Sequence, residues 1–291
     1  MSRDKPRRFV DAHLHLWDQK QNPWYQLPTP ENDLYGLGLK QPFPERYAFE
    51  EHRRATAHVE LVKWVHVSAV AHPKDVEAES AWITSIAEAA KQPYAIVGAV
   101  DRSLSFREIE ALLDRELMNS AYRGIRFFGG LDYDSGLARA VFPMLASRNL
   151  VFDATDTQGG IRAAAKHLAR HPELVVVLEH IGGPRGTSAA DFQHWRAEMA
   201  EFAALPNVFC KLSGAGLAVH GTDSGAFGKF FAECVHLFGA NRCMFATNFP
   251  VDLIFGTGDE LFATFDDFAG TLSAEDAEFL FVKSAEQAYR L

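Results

Sequence analysis

Eight short runs of β-branched and aromatic residues, spaced along the whole chain and separated by stretches of helical composition, constrain this sequence more than any other feature. They fall at residues 8–16, 62–70, 94–101, 122–128, 150–155, 174–180, 207–213 and 242–248. Parallel neighbours need a long crossover between them, so this alternation predicts repeated βα units. Helices are expected at 75–91, 105–118, 136–148, 160–171, 190–205, 225–239 and 274–291. In the last, Ala277, Leu280, Phe281, Ser284 and Ala288 share one face, and Ser273 with Asp276 marks the start as a cap and an acidic third position. No internal linker or residue-level repeat divides the chain. The expectation is α/β: one domain over residues 1–291, a distorted (β/α)8 TIM barrel. An open doubly wound sheet is the alternative. A length of 291 residues with 47% hydrophobic content suits a barrel of about 250 residues plus extensions.

Residues 19–54 break the alternation. They hold Pro23, Pro28, Pro30, Pro42 and Pro44 along with Trp24, Tyr25 and Tyr35, and are too long for an ordinary βα loop. Such a loop after strand 1 of a barrel lies at the C-terminal rim, and a substrate-covering role is expected for it.

Charge narrows the partners. The formal net charge of -9, with no long block of Lys or Arg, argues against nucleic acid and anionic membranes. A small-molecule substrate, met by local arginines if anionic, is the default. No run approaches the roughly 18 apolar residues of a membrane helix, and the start of the chain is too short and polar for a signal peptide. Cys210, Cys234 and Cys243 lack metal-site spacing and fit reduced, buried thiols, which points to a cytoplasmic protein.

The chemistry-bearing residues cluster at predicted strand ends. In "DAHLHL", His13 and His15 are two apart, so on a strand both point inward at its C-terminal end, where neutral imidazoles can bind a divalent ion. In "VLEHIGGP", alternation puts Val176, Leu178 and His180 on one face and sends Glu179 to the other. In "CKLSG", Lys211 can hold a carboxylate or take part in proton transfer, with an outward-facing cap as the plain alternative. In "YRGIRFFGG", Arg126 is in phase with Phe128 and offers a two-pronged donor to a carboxylate or lactone oxygen. In "MFATNFPVD", Met244, Ala246 and Asn248 share a face and Asp252 follows at the same rim. Trp17, Trp24 and Tyr25 supply an aromatic wall near substrate or else pack the loop.

Taken in order, "DAHLHLWD", "RGIRFF", "LEHIGGP", "CKLSG" and "TNFP" resemble the amidohydrolase-related branch of the metal-dependent hydrolases. The likeness is to its lactonase group, which includes 2-pyrone-4,6-dicarboxylate lactonase and fuconolactonase. The resemblance implies a hydrolase that opens the lactone ring of a small carboxylated substrate, a sugar acid or an aromatic catabolite, with activated water at the barrel mouth. It implies His13, His15 and His180 as metal ligands, and Arg126 and Lys211 near substrate. Asn248 stands where most of that superfamily carries an aspartate that binds metal or moves the water's proton. An amide positions water but accepts no proton near neutral pH. The ligands therefore support one weakly held zinc-like divalent ion, or none. Asp252 or His180 is left as base. A decarboxylase, a lactone isomerase and a non-catalytic small-molecule binder are the alternatives, and a monomer or small homo-oligomer is expected.

Overall fold

The computed structural model describes residues 6–33, 37–69, 74–127, 130–155, 160–221 and 224–291. Phe128, Tyr35 and Val70, which figured in the sequence reading, lie outside them. The eight apolar runs form strands: β1 (Arg7–Leu14) and, beyond a two-strand hairpin of β2 (Trp17–Asp18) and β3 (Arg46–Tyr47), β4 (Val59–Val67) and β5 (Tyr94–Val100). Next come β6 (Tyr122–Phe127), β7 (Val151–Ala154), β8 (Val176–Leu178), β9 (Val208–Leu212) and β10 (Cys243–Phe245). The eight barrel strands pair in parallel and in chain order from β1 through β4 to β10. Residues just past β10 close the ring. Leu14 bridges Phe249 in parallel, Asn248 N–H donates to His13 O (2.8 Å), and His15 N–H donates to Phe249 O (2.8 Å). The architecture is a (β/α)8 barrel.

The strands are buried on both faces, which is why they read as apolar runs and not as alternations. Outside β1 and β10 lies an aromatic layer. Phe245 stacks on Phe265 at 4.2 Å and meets Phe281 edge-on, while Phe9 meets Phe262. The final helical stretch supplies Phe281 and carries a π segment at Phe279–Lys283; all five of its core-facing residues expected from the sequence are buried. Its end crosses the N-terminal mouth, where Lys63 Nζ donates to Leu291 O (2.9 Å) and Arg290 Nη2 to Asn149 O. Three further helices, Phe49–Ala55, Ala215–Val219 and Gly258–Ala269, were not expected from the sequence.

The β2–β3 hairpin ties off the long segment after β1 at its base. Trp17 is buried there, with its indole N–H on Pro44 O (2.8 Å) and its ring against Phe43 and Tyr47. Tyr25 is also buried and donates to Glu79 Oε1 (3.1 Å), which His66 and Ser68 also contact. The polar edges of Trp17 and Tyr25 are thus engaged within the segment and its anchor, and of the three aromatics only Trp24 is half-exposed.

Candidate active site

The ends of β1, β6, β8 and β9, together with the residues after β10, bring the expected side chains to one place at the C-terminal mouth. His13 is fully buried and His15 nearly so, and their Nε2 atoms lie 3.1 Å apart. His15 Nδ1 is 2.8 Å from Val67 O, so it donates there and keeps its Nε2 lone pair. On the other side, Lys211 Nζ lies 3.1 Å from His13 Nδ1, which accepts, leaving a proton on His13 Nε2 to meet His15. These tautomers are assigned from the network. Burial first, then the Lys211 charge, holds His13 well below the usual imidazole range; burial and Arg126 do the same for His15. Both rings are neutral near pH 7.

Lys211 is completely buried, not capping a surface. It donates to Asp153 Oδ2 (2.6 Å), and Tyr289, reaching in from the last helix, donates to the same carboxylate at 2.9 Å. Burial pushes Asp153 up, against the opposing pull of Lys211. A substrate carboxylate would compete with Asp153 for the Lys211 ammonium. Asp153, in "LVFDAT", is not among the residues expected from the sequence. The signal was a lone acid inside an otherwise apolar strand.

Glu179 requires a correction. Alternation sent it away from His180, yet it lies inside the mouth, 2% exposed, with Oε2 3.3 Å from Arg126 Nη1 and Oε1 3.7 Å from His13 Nδ1. β8 ends at Leu178, and His180 and Ile181 take positive φ of 51° and 50°. Strand phase ends where the backbone stops being extended, so this turn brings His180 to the same side as Glu179. The rings of His13 and His180 are 4.5 Å apart. Burial alone would raise Glu179, but Arg126, Lys211 and His180 hold it below the ordinary carboxylate value. Arg126 also donates to Ser68 O, so its guanidinium is engaged inside the protein.

His180 Nδ1 contacts Ser213 Oγ (2.9 Å), and burial lowers the ring to about 4. Its ring packs on Gly214, at φ +62°, where a Cβ would stand 2.6 Å from His180 Cγ; only glycine fits this close approach. The Gly214 N–H also donates to Asp252. Asn248 is likewise left-handed at φ 55°, which, rather than strand phase, turns it into the mouth. Its Nδ2 donates to Asp252 Oδ1 (3.0 Å). Burial raises Asp252 to about 7, only partly opposed by these two donors.

Donor atoms of His13, Glu179 and His180 lie within 4.8 Å of one another, with His15 beside them; this is the only such group among the described residues. Two observations show that the set fits a single divalent ion. The imidazoles are neutral, and buried Glu179 Oε1 has no hydrogen-bond partner. Arg126 and Lys211 put two positive charges against the same donors, which weakens affinity.

The Amidohydrolase family profile matches residues 10–291. Uncharacterized protein y4mH of Sinorhizobium fredii is 28% identical over 306 residues, covering 97% of this chain and 98% of that protein. L-fucono-1,5-lactonase of Burkholderia ambifaria is 26% identical over 85% of this chain and 82% of its own length. Among solved structures, an amidohydrolase of Burkholderia multivorans with bound zinc superposes with a TM-score of 0.78 at 24% identity, over 97% of this chain and 99% of that one. The profile spans every barrel strand except the first residues of β1, and the chain belongs to the amidohydrolase family.

Proposed function

We propose that the protein hydrolyses a lactone, with Asp252 as the general base. The observation that carries this reading is the Asn248–Asp252 pair: a buried carboxyl near 7 that accepts from Asn248 Nδ2 and the Gly214 N–H, with the Asn248 backbone bonded to that of His13. A base is most useful when its affinity for protons matches the working pH, and Asp252 meets that condition while His180, near 4, does not. The acid function that the lactonase likeness places at position 248 is thereby moved one hydrogen bond back, to Asp252.

In this reading Asn248 orients Asp252 through Nδ2 and leaves its own amide oxygen to accept from the attacking water. Asp252 takes that water's proton and returns it to the ring oxygen as the lactone opens. The buried positive charges of Arg126 and Lys211 provide the favourable electrostatic environment for the carbonyl oxygen, and Lys211, held by Asp153, fixes the His13 tautomer. His13, through the Nδ1 that otherwise accepts from Lys211, would hold a divalent ion together with Glu179 and His180, and such an ion would supply Lewis-acid polarisation of the carbonyl. The name of the Burkholderia ambifaria relative, L-fucono-1,5-lactonase, supports the choice of a lactone.

Proton release from a panel of 1,4- and 1,5-lactones, followed at constant pH before and after chelation, tests the reaction. Turnover of at least one lactone is expected, with chelation lowering the rate if the ion contributes. Binding of lactones without opening any of them would make the protein a binder and end the proposal.

A further inference from the structure

Glu79, a carboxylate buried outside the cluster at the mouth, accepts from four donors. It sits in the first turn of the helix Val76–Ala90 and is 2% exposed. Tyr25 Oη donates to Oε1 (3.1 Å), the Ala69 N–H donates to the same oxygen (3.0 Å), and Ser68 Oγ donates to Oε2. His66 Nε2 lies 3.2 Å from Oε1; its Nδ1 accepts from the Leu16 N–H (3.3 Å), so Nε2 carries the proton and donates. Burial alone would raise Glu79, but His66, Ser68 and the Ala69 N–H hold it below the ordinary carboxylate value. The N-terminal end of its helix favours the same negative charge.

Three of the four donors belong to residues 66–69, where β4 ends against the site. Ser68 O and the Ala69 N–H are the two ends of one peptide unit, which is planar and trans, so they point in opposite directions. The N–H is on Glu79, and the carbonyl accepts from Arg126 Nη2. Arg126 Nη1 in turn lies 3.3 Å from Glu179 Oε2. Among the described residues the β4–β5 register ends at Val67 with Val97, so this peptide lies past the ladder and its plane is set by Glu79 on one side and Arg126 on the other. An N–H bonded to a carboxylate also polarises its own carbonyl, which strengthens the bond to the guanidinium.

We infer that Glu79 is a positioning residue for Arg126, acting through the peptide between Ser68 and Ala69. Its consequence for catalysis rests on the lactone hydrolysis proposed above, in which Arg126 supplies positive charge at the carbonyl oxygen. Without a fixed carbonyl on Nη2 the guanidinium can turn about Cδ–Nε, and its charge is no longer aimed where negative charge develops. Anchoring the inserted segment through Tyr25 would need only one of the four donors.

Guanidinium and amide NMR of the full-length wild type, Glu79→Gln, Glu79→Ala and Tyr25→Phe tests this without turnover, with Arg126→Lys identifying the signals. A held Arg126 should give separate Nη1 and Nη2 resonances in the wild type. Glu79→Gln keeps an acceptor for the Ala69 N–H but no charge, so the Ala69 amide proton and the Arg126 Nη2 protons should move upfield together. Glu79→Ala should merge the two Nη resonances. Tyr25→Phe keeps the bond to the peptide and should leave them separate. The inference is overturned by averaged Nη resonances in the wild type or Tyr25→Phe, by separate ones in Glu79→Ala, or by Arg126 protons that stay put in Glu79→Gln. The last variant reports even if Glu79→Ala does not fold. With a lactone that is turned over, Glu79→Ala should lower kcat/KM about tenfold in the wild type and less than about twofold in an Arg126→Ala background. Equal losses in both backgrounds also overturn it. If no lactone is opened, the reaction falls while the NMR result stands, so the two proposals fail separately.

Discussion

Asp252 pays for its chemistry in stability. Its carboxyl is raised by burial from an ordinary value near 3.8 to about 7. A group raised on folding contributes stability in full below its unfolded value, and that contribution is lost as pH climbs through the folded one. Above pH 7 the native state therefore carries a buried charge with only two donors. Asp252→Asn keeps the shape and an acceptor for Asn248 Nδ2 but has no charge to bury. It should stabilise the protein by about 2–4 kcal/mol at pH 8.5 and by little at pH 4. Urea unfolding at the two pH values checks this, and an equal effect at both would show that Asp252 is not strained by ionisation. Residue identity at this scale was only partly legible. His13, His15, His180, Arg126, Lys211, Asn248 and Asp252 all stood out by type and position, but Glu179 and Asp153 did not. Their orientation depends on a left-handed turn at His180 and on an ion pair between distant strands, which spacing along one strand does not encode.

Most elements could be read because each strand is buried on both faces and each crossover helix carries a cap or an apolar stripe. Ser273 caps the helix it was placed before, and Ser105, expected as the first residue of its helix, is that helix's cap, each accepting from the backbone N–H three residues on. The helix Gly258–Ala269 escaped notice although it carries the same signature, a reciprocal cap between Thr257 and Glu260. Its glycine start and its phenylalanines, Phe262, Phe265 and Phe268, suggest a loop or strand; only packing against β10 and the neighbouring helix Ser224–Phe238 makes them helical. Thr257→Ala should therefore cost about 1 kcal/mol, read as a lower urea midpoint with an unchanged slope. No loss of stability would mean that the cap contributes nothing to holding this helix, which directly follows the loop bearing Asp252.

At the scale of the molecule, the fold was the most legible part, since eight βα units in succession leave few topologies that close. Closure is what turns separate motifs into a site. Hydrogen bonds between the end of β1 and residues 248 and 249 join the first strand to the last, and so set His13 beside Asn248. The tail crosses the N-terminal mouth while Tyr289 reaches in to Asp153, so the polar cluster is supported from below and faces the C-terminal rim. The inserted segment, expected to cover substrate, divides its described residues between two places. Trp17 and Tyr25 anchor it, while Leu37, Leu39 and Lys40 wall a cavity at the rim.

The most direct measurement is the pH dependence of kcat/KM for lactone hydrolysis in the wild type and in Asp252→Asn. A base must be ionised to act, so the wild-type value should rise with pH through an inflection near 7, and the variant should lose that limb along with about 10² of rate. Superimposable profiles would contradict the assignment of Asp252 as the base.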